Sequence, residues 1–107
     1  MATSVDLNFQ QFSTVQDVQM LLPATIASTT TIAPTTFLTF VSGTVNVATI
    51  TPPVSGCVMI ALVFTNGSPG SLVTTGNISV GSTTLVQNKL NLLVYDPASA
   101  KWYLNAA

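Results

Sequence analysis

Three carboxylates, one thiol and two amines are what this sequence offers to acid–base, nucleophilic or metal chemistry: Asp6, Asp17, Asp96, Cys57, Lys89 and Lys101. Two carboxylates about 5–10 Å apart could hydrolyse a glycosidic bond. Asp6 and Asp17 lie in a polar N-terminal stretch, however, and Asp96 stands before Pro97, where an Asx turn accounts for it. Cys57 opens the most apolar run of the chain and has no charged neighbour to lower its pKa, so core packing is its expected role. The chain has no His. That removes Ser-His-Asp and Cys-His sites and any imidazole base near neutral pH. One Cys without His cannot supply the ligands of a structural zinc site. Two Lys are too few to hold a nucleic-acid backbone, and the six glycines form no phosphate-cradling pattern. The expectation is a non-enzymatic protein with no cofactor, no metal and no nucleic-acid partner.

Charge is scarce along the whole chain. Of 107 residues, 5% are charged, against about 25% in an ordinary soluble domain. The hydrophobic share, 48%, is ordinary. Uncharged polar residues take the place of the charges: 17 Thr, 10 Ser, 7 Asn and 5 Gln. The longest apolar run, 57–64, is far short of the roughly 20 residues a membrane-spanning helix needs, so no membrane is expected. The first Lys is Lys89, so the N-terminus has no basic leader region, and a single Cys forms no internal disulfide. Synthesis and folding in a cytoplasm follow as the expectation.

The elements that must position these residues read as strands. Thr, Val and Ile favour extended structure, and turn signals recur at short intervals, among them Ser42-Gly43, Ser55-Gly56, Asn66-Gly67-Ser68 and Gly76-Asn77. Strands are expected at 24–27, 37–41, 44–50, 57–64, 72–74, 77–80, 83–86, 90–95 and 101–104. The alternation of Val45 and Val47 slips at Ala48, which marks a bulge, a bend or a change of sheet. Residues 57–64 are apolar on both faces and suit a central, doubly covered strand. Leu90, Leu92 and Val94 share one face, with Asn91, Leu93 and Tyr95 on the other, and 96–100 reads as a hairpin loop. The fold class is all-β: a compact sandwich or barrel-like single domain over 24–107, preceded by an extended N-terminal arm over 1–23. No fixed period identifies a solenoid.

Within the arm, Val5, Leu7 and Phe9 alternate like a strand. Ser13-Thr14-Val15-Gln16 fits a helix capping box with Pro23 as the stop, so one short helix competes with extended structure there. Residues 25–36 are Thr-rich and suit an edge strand or a segment ordered by a partner. Phe37, Leu38, Phe40 and Val41 put large apolar groups on both faces of one strand, which is then central or meets another subunit. Tyr95, Trp102 and Tyr103 cluster across the expected hairpin. Beside Asp96 they could stack on a sugar, but core and interface roles account for aromatics more often. Asn66-Gly67-Ser68 and Asn77-Ile78-Ser79 match the glycosylation pattern and read equally as turns.

Four stretches carry a family resemblance. They are Ile32-Ala33-Pro34-Thr35-Thr36; Val41-Ser42-Gly43-Thr44 running into Ala48-Thr49-Ile50-Thr51-Pro52-Pro53; Thr75-Gly76-Asn77-Ile78; and Leu92-Leu93-Val94-Tyr95-Asp96 followed by Lys101-Trp102-Tyr103. Together they resemble the small structural β modules of tailed-bacteriophage virions, the head-decoration and fibre-type proteins, which are commonly trimeric. The resemblance implies a homotrimeric capsid decoration (cement) subunit on the virion surface, made in the host cytoplasm and partnered by the major capsid protein or other virion proteins. A chain that runs from Met1 to just past the hairpin suits a decoration subunit better than a long fibre. Val5, Leu7, Phe9 and Phe12 are then the expected capsid-binding anchors, and Phe37 and Phe40 the subunit interface. The alternative is a fibre or appendage adhesin that binds a host-surface glycan through Tyr95, Asp96, Trp102 and Tyr103.

Overall fold

A computed structural model describes residues 22–80 and 85–105. Among them there is no helix, and the chain is all-β. The expected N-terminal helix and the four arm residues fall outside the described residues.

Among the described residues seven strands form two sheets. The strands are β1 (Ala24–Ala27), β2 (Thr31–Ile32), β3 (Leu38–Ser42), β4 (Thr49–Ile50), β5 (Val58–Phe64), β6 (Leu90–Asp96) and β7 (Lys101–Leu104). The larger sheet has the order β1-β3-β5-β6-β7, and the smaller one pairs β2 with β4. From β1 to β5 the chain alternates between the sheets, and its successive passes lie parallel. This is a short coil. One pass of it runs 15 residues, from Ala24 to its neighbour Thr39. The next runs 23, from Leu38 to its neighbour Ala61. Passes of unequal length explain why no fixed sequence period is visible. After β5 two isolated parallel bridges follow, Leu72 with Val47 beside the small sheet and Ile78 with Trp102 of β7. The chain then closes with β6, antiparallel to β5, and β7, antiparallel to β6.

The strand grammar explains this layout. β5 is the most apolar strand and lies third of five, as its two-faced pattern implied. β3, also apolar on both faces, lies between β1 and β5. β1, Thr-bearing and half-polar, is an edge. One face of the large sheet presents Val41, Val58, Ile60, Leu62, Phe64 and Leu93 to a core shared with Ile32 and Ile50 of the small sheet. The slip at Ala48 is a bulge: Ala48 N and Thr49 N both donate to the one Thr30 carbonyl. Val47 and Ala48 are both buried in succession, Val47 beside Leu72 and Ile50 beside Ile32.

Several expected strands shrink to single bridges. In 44–50 only Thr49–Ile50 is a strand, and in 72–74 and 77–80 only Leu72 and Ile78 bridge. Residues 85 and 86 are not strand, while 83 and 84 fall outside the described residues. Cys57 is a correction: it precedes β5 and is exposed, not packed in the core. Its place at the end of the 51–57 loop, just after Gly56 (φ +90°), turns it outward before the strand begins.

Candidate functional site

The core is stitched together by amide side chains, and the densest stitch is at Ile50. The Asn77 side chain docks edge-on to the backbone of Ile50. Its Oδ1 accepts from Ile50 N at 2.9 Å and its Nδ2 donates to Ile50 O at 2.8 Å. One side chain thus supplies both bonds that a neighbouring strand would make. Trp102 Nε1 donates to the same Ile50 carbonyl at 2.8 Å. The backbones close the loop: Trp102 N donates to Asn77 O at 2.8 Å, and Ser79 N donates to Trp102 O at 3.0 Å. Coil, connecting loop and hairpin meet at these three residues.

The pattern is general among the described residues. Asn46 Oδ1 accepts from Ser71 N, Asn66 Oδ1 from Ser68 N and Asn105 Oδ1 from Leu92 N. Asn91 Nδ2 donates to the carbonyls of Leu62 and Lys89, and Gln87 Nε2 donates to that of Thr65. Asn88 makes no such bond but takes the left-handed conformation (φ 63°) that Asn tolerates better than most residues. Several buried hydroxyls are also engaged, while the Ser79 hydroxyl is buried with no partner among the described residues. Thr39 Oγ1 donates to Thr36 O and shares a bond with Thr36 Oγ1, and Ser28 Oγ accepts from Val45 N. Unpaired backbone groups in irregular loops cost about 1–3 kcal/mol each once buried. Neutral side chains meet that need without burying a charge, which gives the Thr/Ser/Asn-rich composition a physical purpose. The Asn66 and Asn77 tripeptides are turns and joints of this kind.

The C-terminal aromatics divide. Trp102 has 0% of its surface exposed, and Tyr95 leans on it at a ring-centroid distance of 5.1 Å. The glycan-platform expectation therefore loses its central residue: a fully buried indole has no face to offer a sugar, and its N–H is already bonded. Asp96 is committed as well. Its Oδ1 accepts from Ala98 N and its Oδ2 from Ser99 Oγ, an Asx turn that closes the β6–β7 loop. These bonds, Ser99 first and Ala98 next, hold its carboxyl below the usual Asp range. Tyr103 is exposed and shares a hydrogen bond with Ser99 at 3.2 Å.

Phe37 and Phe40 also separate. Phe37 packs against the core. Phe40 lies on the opposite face of the large sheet, half-buried, beside Val63. That outer face is apolar across three strands. Its rows are Phe40, Val63 and Leu90; Leu38, Ala61 and Leu92; and Met59, Val94 and Tyr103. Met59, Leu90 and Val94 are exposed, Leu90 to 52%. Of these, the sequence nominated Phe40 for a subunit interface and Tyr103 for a glycan site. The signals for the rest were already present in the two-faced run 57–64 and in the Leu90-Leu92-Val94 alternation. Among the described residues no three His, Cys, Asp or Glu come together.

No protein-family model, curated protein or solved structure matches the chain.

Proposed function

We propose that the protein is a virion structural subunit, a capsid decoration protein that acts by binding and not by catalysis. The observation that carries this reading is how the polar side chains are employed. Asn46, Asn66, Asn77, Asn91, Asn105, Thr39 and the Trp102 indole all bond to backbone, and Asp96 closes a turn. The chain's hydrogen-bonding capacity goes into holding a compact, nearly uncharged β body. Such a body suits dense packing beside identical copies, since neighbours with a net charge of −1 each repel little. The phrases that resemble phage modules also fall on the joints of this fold, at Gly43, Gly76-Asn77 and Lys101-Trp102-Tyr103.

In this reading the arm, through Val5, Leu7, Phe9 and Phe12, anchors the body to a shell of capsid protein. At about 25 cal/mol per Å², burial of those four side chains contributes several kcal/mol before ordering entropy is subtracted. The test is co-sedimentation of the full chain with undecorated heads, compared with a variant carrying Leu7→Ser and Phe9→Ser. Wild type is expected to bind in hundreds of copies per head and the variant to lose binding with its fold intact. Binding is also expected to persist in about 1 M NaCl, where the Debye length is about 3 Å. Equal binding by the double variant, or release by salt, would refute the arm as an apolar anchor.

A further inference from the structure

We propose that Asn66-Gly67 is a self-modification site, at which the Asn66 amide is lost as ammonia and the chain gains a carboxylate. This goes beyond the decoration reading and does not depend on it.

The chemistry needs three groups. They are an electrophilic side-chain amide, a following backbone nitrogen that can reach it, and a donor to the oxygen on which charge develops. The loop after β5 supplies all three. Gly67 is exposed and has no Cβ to hinder the approach of its nitrogen to Asn66 Cγ. Among the described residues no backbone bond engages the Gly67 N–H. Ser68 N donates to Asn66 Oδ1 at 2.8 Å. That bond holds the side chain over the turn and polarises the Cγ carbonyl. It also faces the oxygen that turns negative in the tetrahedral intermediate, which is the part played by an oxyanion-hole donor.

The step balances with water as its one co-reactant. Gly67 N gives up its proton to solvent and forms a bond to Asn66 Cγ. The Cγ–Nδ2 bond breaks, and the nitrogen takes a proton and leaves as ammonia. The ring left behind is a succinimide. Water opens it at the side-chain carbonyl to give aspartate, or at the backbone carbonyl to give isoaspartate. Nothing is oxidised or reduced. The product takes the formal net charge from −1 to −2.

The other described asparagines lack this set. The nitrogens that follow Asn46, Asn88 and Asn91 are already donating: Val47 N to Ser71 O, Lys89 N to Val86 O and Leu92 N to Asn105 Oδ1. Asn77 has both ends of its amide bonded to Ile50 and precedes β-branched Ile78, 1% exposed. Asn105 precedes Ala106, whose Cβ hinders the attack. No other Asn in the sequence is followed by Gly.

Ageing of the full chain in mildly alkaline buffer tests this, read by peptide mapping with mass spectrometry and by an isoaspartate-specific methyltransferase assay. Asn66 is expected to convert ahead of every other Asn, with ammonia released in equal amount. Gly67→Ala, a substitution the turn has room for, is expected to slow conversion about tenfold or more. The same chain unfolded in guanidinium chloride keeps the dipeptide but loses the Ser68 bond. The folded chain is expected to convert at least as fast as the unfolded one. Slower conversion in the folded chain would show that the turn shields the amide, and would overturn the proposal. Ageing of Gly67→Ala at the wild-type rate, or conversion of another Asn ahead of Asn66, also overturns it.

Discussion

In the terminal hairpin every residue of β6 has a backbone register partner on β5 or β7, from Leu90 beside Val63 to Asp96 beside Lys101. In the coil, β2 and β4 are two residues each, and much of the pairing between passes is made by single backbone bonds and side-chain amides. The two regions bury parts of one core, but they are specified differently. The hairpin is defined by period-two alternation and a local Asx turn. The coil is defined by particular residues at particular joints. It should therefore be sensitive to single substitutions at positions that pattern reading treats as loop, while the hairpin loop should tolerate change.

The largest effect is expected where the regions are joined. Trp102→Ala removes the biggest fully buried side chain and one of the two side-chain donors to the Ile50 carbonyl. Large aromatic truncations in cores cost about 3–5 kcal/mol. Chemical denaturation should show that loss, a large share of the stability of a domain this size. A loss below about 1 kcal/mol would mean that coil and hairpin stand independently.

Gly76→Ala comes next. A Cβ at Gly76 would collide with the carbonyl of Ala48 on the preceding pass. The obstacle is backbone and cannot rotate aside, so the expected loss is about 2–3 kcal/mol, near the top of the overpacking range. The same change at Gly67, in the 66–68 turn, where a Cβ would meet only the Gln87 amide oxygen at an ordinary 3.7 Å, should be close to neutral. If both behave alike in thermal melts, close approach between passes is not what selects Gly76.

Asn77→Ala should cost less, about 1–2 kcal/mol. It removes both bonds to Ile50, but the Ile50 carbonyl keeps the Trp102 indole, so the N–H of Ile50 is the group left without its partner. Asn77→Asp sharpens the point, because ionised it keeps the acceptor for Ile50 N but sets a charged oxygen against Ile50 O, whereas protonated it can accept and donate as Asn does. The Asp variant should therefore gain stability relative to Asn77→Ala as pH falls through the carboxylate range. A gap between the two that does not change with pH would show that the paired bonds to Ile50 are not what Asn77 contributes.

These positions also show where the fold was legible from sequence and where it was not. β1 and β7 coincide with their expected bounds, and β3, β5 and β6 fall within one residue of theirs. All five belong to the large sheet, where alternation or a long apolar run carries the signal. The small sheet was legible only in part: β4 lies inside the strand expected at 44–50 and β2 inside the Thr-rich stretch read as an edge strand, but neither their short bounds nor their pairing could be read. β2 sits in a Thr-rich stretch with Ile32 as its one buried large side chain, and β4 borrows its partners from Asn77 and from Thr30 and Ile32 backbone carbonyls. No local pattern encodes a strand whose neighbour is a side chain. Cys57 misled for a related reason: hydrophobic character predicts burial only when the backbone already alternates, and the strand starts one residue later. The outer face was legible as pattern, in the two-faced strands, but its position opposite the core depends on strand order. Sequence does not reveal that order when the connections are parallel and of unequal length.

The smallest effect is expected in the hairpin loop, and its sign follows from Asp96. The bonds from Ser99 Oγ and Ala98 N favour the ionised carboxylate and lower its pKa in the folded protein. A folded-state pKa below the unfolded one stabilises the fold where the group is ionised in both states. That stabilisation is fully present above the unfolded Asp value of about 3.9. It is lost as pH falls through the lowered folded-state pKa. Because the loop is exposed, solvent screens the interaction and the amplitude is small. Asp96→Asn keeps an acceptor for Ala98 N and can still form the turn, so at neutral pH it should melt only slightly below wild type. The difference should vanish in acid, where wild type loses its ionised form and the variant has none to lose. Melting curves from neutral pH down into the acid range measure this directly. A gap between wild type and variant that widens as pH falls would mean that the carboxylate is not the group that steadies the turn.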